Sequence, residues 1–521
     1  MPSPKVIRTN TGHEDQIQKD TIQSGRYRGC SSAILPHMKL RVCQFWWVQL
    51  VLLALSFPAP AEDWTRFRGP NGSGVSKDTG FPIEFGKDKN TIWRTPVRAG
   101  KSSPVLTERY IFLTGFEEER LFTQCFDRKT GKLVWERVEY RTYRQDGNRL
   151  NNPAAITPVT DGENVYVFFK DFGLISYDPA GNVRWRVPLG PFINTVGLAA
   201  SPIVAGDSIV LVADQLRGSY IAAFDRRSGE TRWKTAREES ESWSTPLLYD
   251  ACSAPLILTA GQGRYGAHRL ADGKRAFSQP GLSPAIVASP VLGENTIFAF
   301  GYGSDAASPF PQYLAQLDRN HDGQISPEEY RNVSDDPDHL VRDVMTAAAN
   351  IAGNGDGIVT REKFDAWWRH AVGPTRLLAT RLDCEPGSVQ EKQVRPRELW
   401  HYDKGFVGVV PSPLLYDGVL YLIKNGGILT ALDPATGREL KVGRVKGALG
   451  GYSASPVAAD GKVFLVSEEG EIAVLKAGPD WDLLAVNDLG EGSFATPALS
   501  QGRIYVRTDE ALYCFGPTGS R

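Results

Sequence analysis

Little in this sequence speaks for zinc, thiol or serine-hydrolase chemistry. Its 521 residues include six cysteines and seven histidines. No two cysteines form a Cys-x-x-Cys pair, and His268, His321, His339, His370 and His401 include no pair at the helical spacing of zinc ligands. There is no Gly-x-Ser-x-Gly elbow either. Excess charge of one sign is also missing, because 60 acidic residues face 59 basic ones; nothing in that balance draws the chain to nucleic acid or an anionic membrane. A membrane-spanning apolar run is missing as well. Val42 to Phe57 is about 16 residues, broken by Gln44 and Gln49, where a span needs roughly 20. Preceded by Lys39 and Arg41 and followed by Ala59-Pro60-Ala61, that run has the form of a signal peptide over 38–61, starting at Met38. The mature chain is expected to begin at Glu62 and to be secreted or periplasmic. Residues 1–37 are either an over-extended start or a disordered leader and receive no function. No cysteine closely follows the apolar run, so nothing points to a lipid-modified N-terminus.

What the chain does have is turn and ring chemistry: 52 Gly, 34 Pro, 12 Trp, 18 Tyr and 23 Phe, the composition of an all-β protein with many short strands. Its length exceeds what one ordinary core holds, which directs attention to repeats. A Ser/Thr-Pro pair opening an apolar strand recurs at Pro104, Pro158, Pro202, Pro246, Pro290, Pro413, Pro456 and Pro497. Successive gaps of 44, 44, 44, 43 and 41 define the period, while gaps of 54 and 123 mark insertions. The unit from Ser201 predicts strands at Ser201 to Ala205, Ser208 to Ala213, Tyr220 to Phe224 and Glu230 to Lys234. An Asp-x-x-Thr/Ser-Gly turn precedes the last strand, as at Asp127 to Gly131, Asp225 to Gly229 and Asp433 to Gly437; Asp accepts backbone hydrogen bonds there and Gly takes positive φ. Trp135, Trp185 and Trp233 follow four residues after such a glycine. Repetition at one position assigns these residues to turns and packing rather than to ligand binding.

Eight such units predict an eight-bladed β-propeller of four-stranded antiparallel blades. The last unit, Phe494 to Phe515, has only three strands, and the orphan strand 91–97 is expected to complete it. After signal cleavage four cysteines remain. Cys125 and Cys514 stand where Ala223 and Ala431 stand in other units, and are expected to be buried thiols, with a disulfide as the alternative in this compartment. The pairing states of Cys252 and Cys384 stay open.

With its Asp-x-x-Thr-Gly-x-x-x-Trp signature, the chain resembles the pyrroloquinoline-quinone-like (PQQ-like) repeat propellers from about Asp63 to Gly516, outside the long insertion. The opening Trp64-Thr-Arg-Phe-Arg-Gly-Pro-Asn-Gly-Ser-Gly is similar to the start of a secreted subgroup. Phe277 and Lys441 replace the tryptophan, and Lys476-Ala-Gly replaces the acidic turn. The resemblance implies the fold; for function it implies either a quinone-dependent dehydrogenase or a non-enzymatic outer-membrane assembly factor.

The gap of 123 leaves about 79 residues beyond one period. Within them Asp318, Asn320, Asp322, Gln324, Ser326 and Glu329 match a twelve-residue EF-hand loop: side-chain oxygens from the first three, the Gln324 carbonyl, Ser326 through water, and a bidentate Glu329, with Gly323 at the sharp turn. Ser326-Pro-Glu-Glu329 is also a helix capping box, but that accounts for only two of the ligand positions. Calcium is the expected ion. The partner loop, Ala352 to Lys363, lacks the first and last carboxylates and is expected to be structural, pairing Val359 with Ile325 while Leu340, Val344, Phe364 and Trp367 fill the helical core. The chain is thus divided into propeller at 62–303 and 376–516, with an EF-hand insertion at 304–375 between the second and third strands of blade five. It and the basic loop Tyr140 to Asn152, including Arg144 and Arg149, are expected to overhang the same channel mouth. A binding or assembly scaffold is favoured over a dehydrogenase carrying PQQ, because neither Cys-x-x-Cys-His nor adjacent cysteines occur. A protein or cell-envelope ligand at the mouth is the expected partner.

Overall fold

The computed structural model describes residues 64–144, 151–194, 196–251, 254–303, 307–331, 333, 340–350, 356–368, 373–384, 394–404 and 410–517. The expected leader and signal segment lie outside them, as do Arg149 and Cys252. The strands form eight antiparallel four-stranded sheets. Blade one comprises Val105–Leu106, Tyr110–Glu117, Arg120–Asp127 and Leu133–Tyr140. Blade three, with Ile203–Ala205, Ser208–Ala213, Tyr220–Asp225 and Thr231–Ala236, falls within a residue or two of the expected strands. Its second strand is buried at every position, whereas its outer strand, from Arg232 onward, alternates between exposed and half-buried. Sheets packed on both faces bury continuous apolar runs, and only the rim keeps a period of two.

The repeat signature works between blades. In blade one the Asp127 carboxylate accepts the backbone N–H and hydroxyl of Thr130, closing the turn at 2.9 and 2.7 Å. Gly131, at φ 70°, lies under the Trp93 ring, and a Cβ there would be 2.5 Å from it. Trp135 covers Gly181 of blade two in the same way, and Trp185 covers Gly229 of blade three. Trp135 Nε1 donates to the Pro179 carbonyl at 3.0 Å, and Trp233 Nε1 to that of Leu270 at 2.9 Å. Each glycine is therefore the floor of a slot for the preceding blade's tryptophan, which explains why the two residues recur together.

Closure uses the orphan strand. Thr91–Pro96 pairs antiparallel with Ala511–Phe515, setting Trp93 opposite Cys514, as Trp135 stands opposite Cys125. Trp93 is the tryptophan that blade eight otherwise lacks. Cys125 and Cys514 are buried free thiols, and burial pushes the Cys514 thiol up to about 12. Cys384 is disulfide-bonded.

A second closure surrounds the axis. The backbone N–H of Ser103 donates to the Thr157 hydroxyl, and the pattern continues through Ser201, Thr245, Ser289, Ser412, Ser455 and Thr496, whose N–H returns to Ser103, at 2.9 to 3.2 Å throughout. These are the residues immediately before the eight prolines. A short hydroxyl reaches the neighbouring blade's N–H, and the following proline presents no N–H of its own to the channel.

The opening segment spans this ring. Trp64 and Thr65 carbonyls accept from Leu106 and Thr160 in blades one and two. Arg66 donates to the Pro246 carbonyl and Arg68 to that of Pro413, each at 2.6 Å, and Val75 bridges to Ala458. Contacts with five blades make this segment a floor across the channel. Burial depresses both guanidinium groups to about 9.

Candidate functional site

Blade five's second strand, Ile297–Gly301, pairs with its third, Arg376–Cys384, and the register ends at Gly301 opposite Arg376. The described residues of the intervening chain include four helices: α1 (Phe310–Leu317), α2 (Pro327–Tyr330), α3 (Leu340–Asn350) and α4 (Arg361–Trp368). They enclose Phe310, Leu317, Ile325, Tyr330, Met345 and Phe364, with Val344 and Trp367 partly buried around them. Of the expected core, the Leu340 side chain lies outside what is described. Ile325 and Val359 exchange two backbone hydrogen bonds, at 3.0 and 2.9 Å.

The carboxylates of Asp318, Asp322 and Glu329 all engage the first loop's own amides. Asp318 accepts from the Asp322 and Gly323 N–H groups at 3.2 and 3.0 Å. Asn320 Oδ1 accepts from Asp322, and Asp322 Oδ1 from Gln324. Glu329 reaches back across the loop: one oxygen accepts from Arg319 at 2.8 Å, the other from Ser326 N–H and hydroxyl at 2.7 and 2.9 Å. Burial pulls the Glu329 carboxyl upward, but the amides of Ser326, Arg319 and Asn320 and the Ser326 hydroxyl outweigh it and hold it below the usual carboxylate range. Ser326 thus touches Glu329 directly. This is the capping box at the start of α2. Among the described residues no three His, Cys, Asp or Glu side chains converge closely enough to form a metal cluster. The donor chemistry is nonetheless that of a hard divalent cation, all oxygen with three carboxylates, and Gly323 takes φ 81° at the turn.

The second loop, described from Asp356 onward, differs in one decisive contact. Lys363 Nζ donates to Asp356 Oδ1 at 2.6 Å and to the Ile358 carbonyl at 2.9 Å.

The insertion shares its end of the propeller with the blade-linking segments. Thr142 N–H donates to the Asp171 carbonyl, in the turn between the second and third strands of blade two. Of the basic loop, Arg141 pairs with buried Asp171 at 2.7 Å, Tyr143 donates to the Lys170 carbonyl, and Arg144 pairs with Glu119. These described flanks are anchors for the loop. At the axis, Phe67, Lys101, Trp243, Phe494 and the hydroxyl ring enclose a cavity of about 130 Å³. Small-molecule sites run roughly 300–1,000 Å³, so this is a small cavity, and among the described residues that line it none is a carboxylate. Lys101 sits 3.6 Å over the Phe494 ring. Lys101, Trp243 and Phe494 escaped sequence reasoning because they come from different blade links.

The sequence pattern of one family, outer membrane protein assembly factor BamB, matches residues 83–279 and 380–521, flanking the insertion on both sides. Among curated proteins none matches the chain. Similar solved structures include BamB from Moraxella catarrhalis, 12% identical over 82% of this chain and 99% of that one, TM-score 0.48. The computationally designed Ika8 protein is 12% identical over 84% of this chain and 100% of its own, TM-score 0.49. Quinohemoprotein alcohol dehydrogenase from Comamonas testosteroni is 12% identical over 88% and 81%, TM-score 0.39.

Proposed function

The chain belongs to the outer membrane protein assembly factor BamB family, and on that premise we propose that it is an exported, non-catalytic propeller that docks a protein or envelope partner at its channel mouth. Family membership over both propeller segments carries this reading. The floored channel and its small cavity support it, since they leave the rim rather than the axis as the contact surface. No helix among the described residues is long and apolar enough to cross a membrane; export itself rests on the Met38 signal pattern.

The domain division follows the same proposal: propeller at 62–303 and 376–516, docking arm at 304–375. In that arm Asp318, Asn320, Asp322, the Gln324 carbonyl, Ser326 through water and Glu329 would hold one calcium ion, whose charge would offset three neighbouring carboxylates. Glu329 is already aimed across the loop, so ordering the arm needs little movement of α2. Calcium then sets the arm's rigidity, while the blades close without it.

Purified mature protein, titrated with calcium chloride and then with pyrroloquinoline quinone in the presence of an alcohol and a redox dye, separates scaffold from dehydrogenase. The scaffold predicts calcium heat without dye reduction. Saturable quenching of tryptophan emission by the quinone together with turnover would sink it.

A further inference from the structure

We propose that Lys363 is a tethered cation filling the second loop in the place of a metal ion, so that the insertion has one exchangeable cation site and one supplied by the chain. Asp356 and Ile358 are the fifth and seventh positions of that loop, the two that present a carboxylate and a backbone carbonyl to calcium in an EF-hand. Both oxygens are instead bound by the Lys363 ammonium, whose side chain is 11% exposed. Lys363 itself occupies the twelfth position, where Glu329 stands in the first loop.

Helix polarity sharpens the assignment. Lys363 lies in the first turn of α4, where the exposed N–H groups of a helix disfavour a cation. Its backbone N–H is taken by Thr360 Oγ1 at 3.2 Å, and its side chain turns away from the helix into the loop. A surface lysine in that turn gains nothing from position; one that neutralises Asp356 does. The ordered loop is joined to its neighbour by the Ile325 and Val359 hydrogen bonds, and by Tyr330, whose hydroxyl donates to the Gly357 carbonyl at 3.1 Å. The tethered ammonium therefore keeps the first loop's α2 in place without a second ion. The tethering stands on the second loop alone; only its effect on calcium affinity rests on the calcium reading above.

Hydrogen exchange at the Ile325 and Val359 amides, measured on the mature chain in chelator, tests the tether. Lys363→Met is expected to speed exchange about tenfold and Lys363→Arg less, the size of one charge-assisted hydrogen bond discounted for partial exposure. In calorimetry with calcium chloride, Lys363→Met should weaken the first site several-fold at unchanged stoichiometry, and Lys363→Glu should raise the stoichiometry from one to two. Exchange in Lys363→Met equal to wild type would overturn the proposal. A wild-type chain that takes no calcium would refute the calcium reading, and the chelator exchange would still decide this one.

Discussion

The propeller and its insertion solve the same problem, holding a repeated unit in register, by opposite means. Blades lock through neutral contacts made in sequence around a circle: hydroxyl to N–H at the axis, tryptophan over glycine at the rim. The two loops of the insertion instead gather negative oxygens and must offset their charge. In the second loop Lys363 does so with its ammonium; in the first, among the described residues, the carboxylates settle on loop amides. A ring of neutral hydrogen bonds is insensitive to ions, whereas on the function proposed above the acidic first loop would respond to one.

The comparison breaks most visibly if the floor is removed. Trp64 is fully buried among residues of blades one, seven and eight, and Trp64→Ala should cost about 3–5 kcal/mol in urea unfolding. The calcium heat of the insertion should survive the substitution; its loss would mean the two regions are coupled. Glu329→Gln addresses the other side. At calcium a hundredfold above Kd the wild-type insertion gains about 2.7 kcal/mol, and the variant should lose that gain, read as a vanished calorimetric signal with propeller unfolding unchanged.

A smaller effect comes from pH. Burial, the nearby Arg237 guanidinium and, in the opposite sense, the Gly273 carbonyl leave His268 with its pKa lowered to about 4. The unfolded imidazole takes its proton near 6.5, so the unfolded chain binds more protons between those values. Propeller stability should therefore be full above about pH 6.5 and fall by about 3 kcal/mol as pH drops to about 4. His268→Gln should flatten that slope in pH-dependent unfolding. Last, Ser201→Ala leaves the Thr157 N–H, now 3.1 Å from the Ser201 hydroxyl, without its partner. A loss of about 1–2 kcal/mol is expected, restored by Ser201→Thr; equal stability of all three would show that the ring is dispensable.

Much of this fold was legible before any coordinates. The prolines marked the units because each fixes one inner strand, and the three-stranded last unit announced that residues 91–97 must complete it. The acidic loop was legible for a similar reason, since its ligand positions are contiguous in sequence. The basic loop shows where such reading stops. Arg141 and Arg144 look available in sequence, yet each meets an acid, Asp171 or Glu119, from the turn of another strand pair.

The sequence by itself determined the number of blades, the place of the insertion and which loop has the full set of oxygen donors, because periodicity and contiguous spacing are local properties. Only the tertiary structure decided what the repeated residues bind. The hydroxyl before each proline closes a ring with the preceding blade, each tryptophan finds the next blade's glycine, the Trp64 segment floors the channel, and Lys363 turns inward to its own loop. Those partners lie about 40 or more residues apart, or on the far side of a helix turn, where spacing carries no direction and only packing fixes which group meets which.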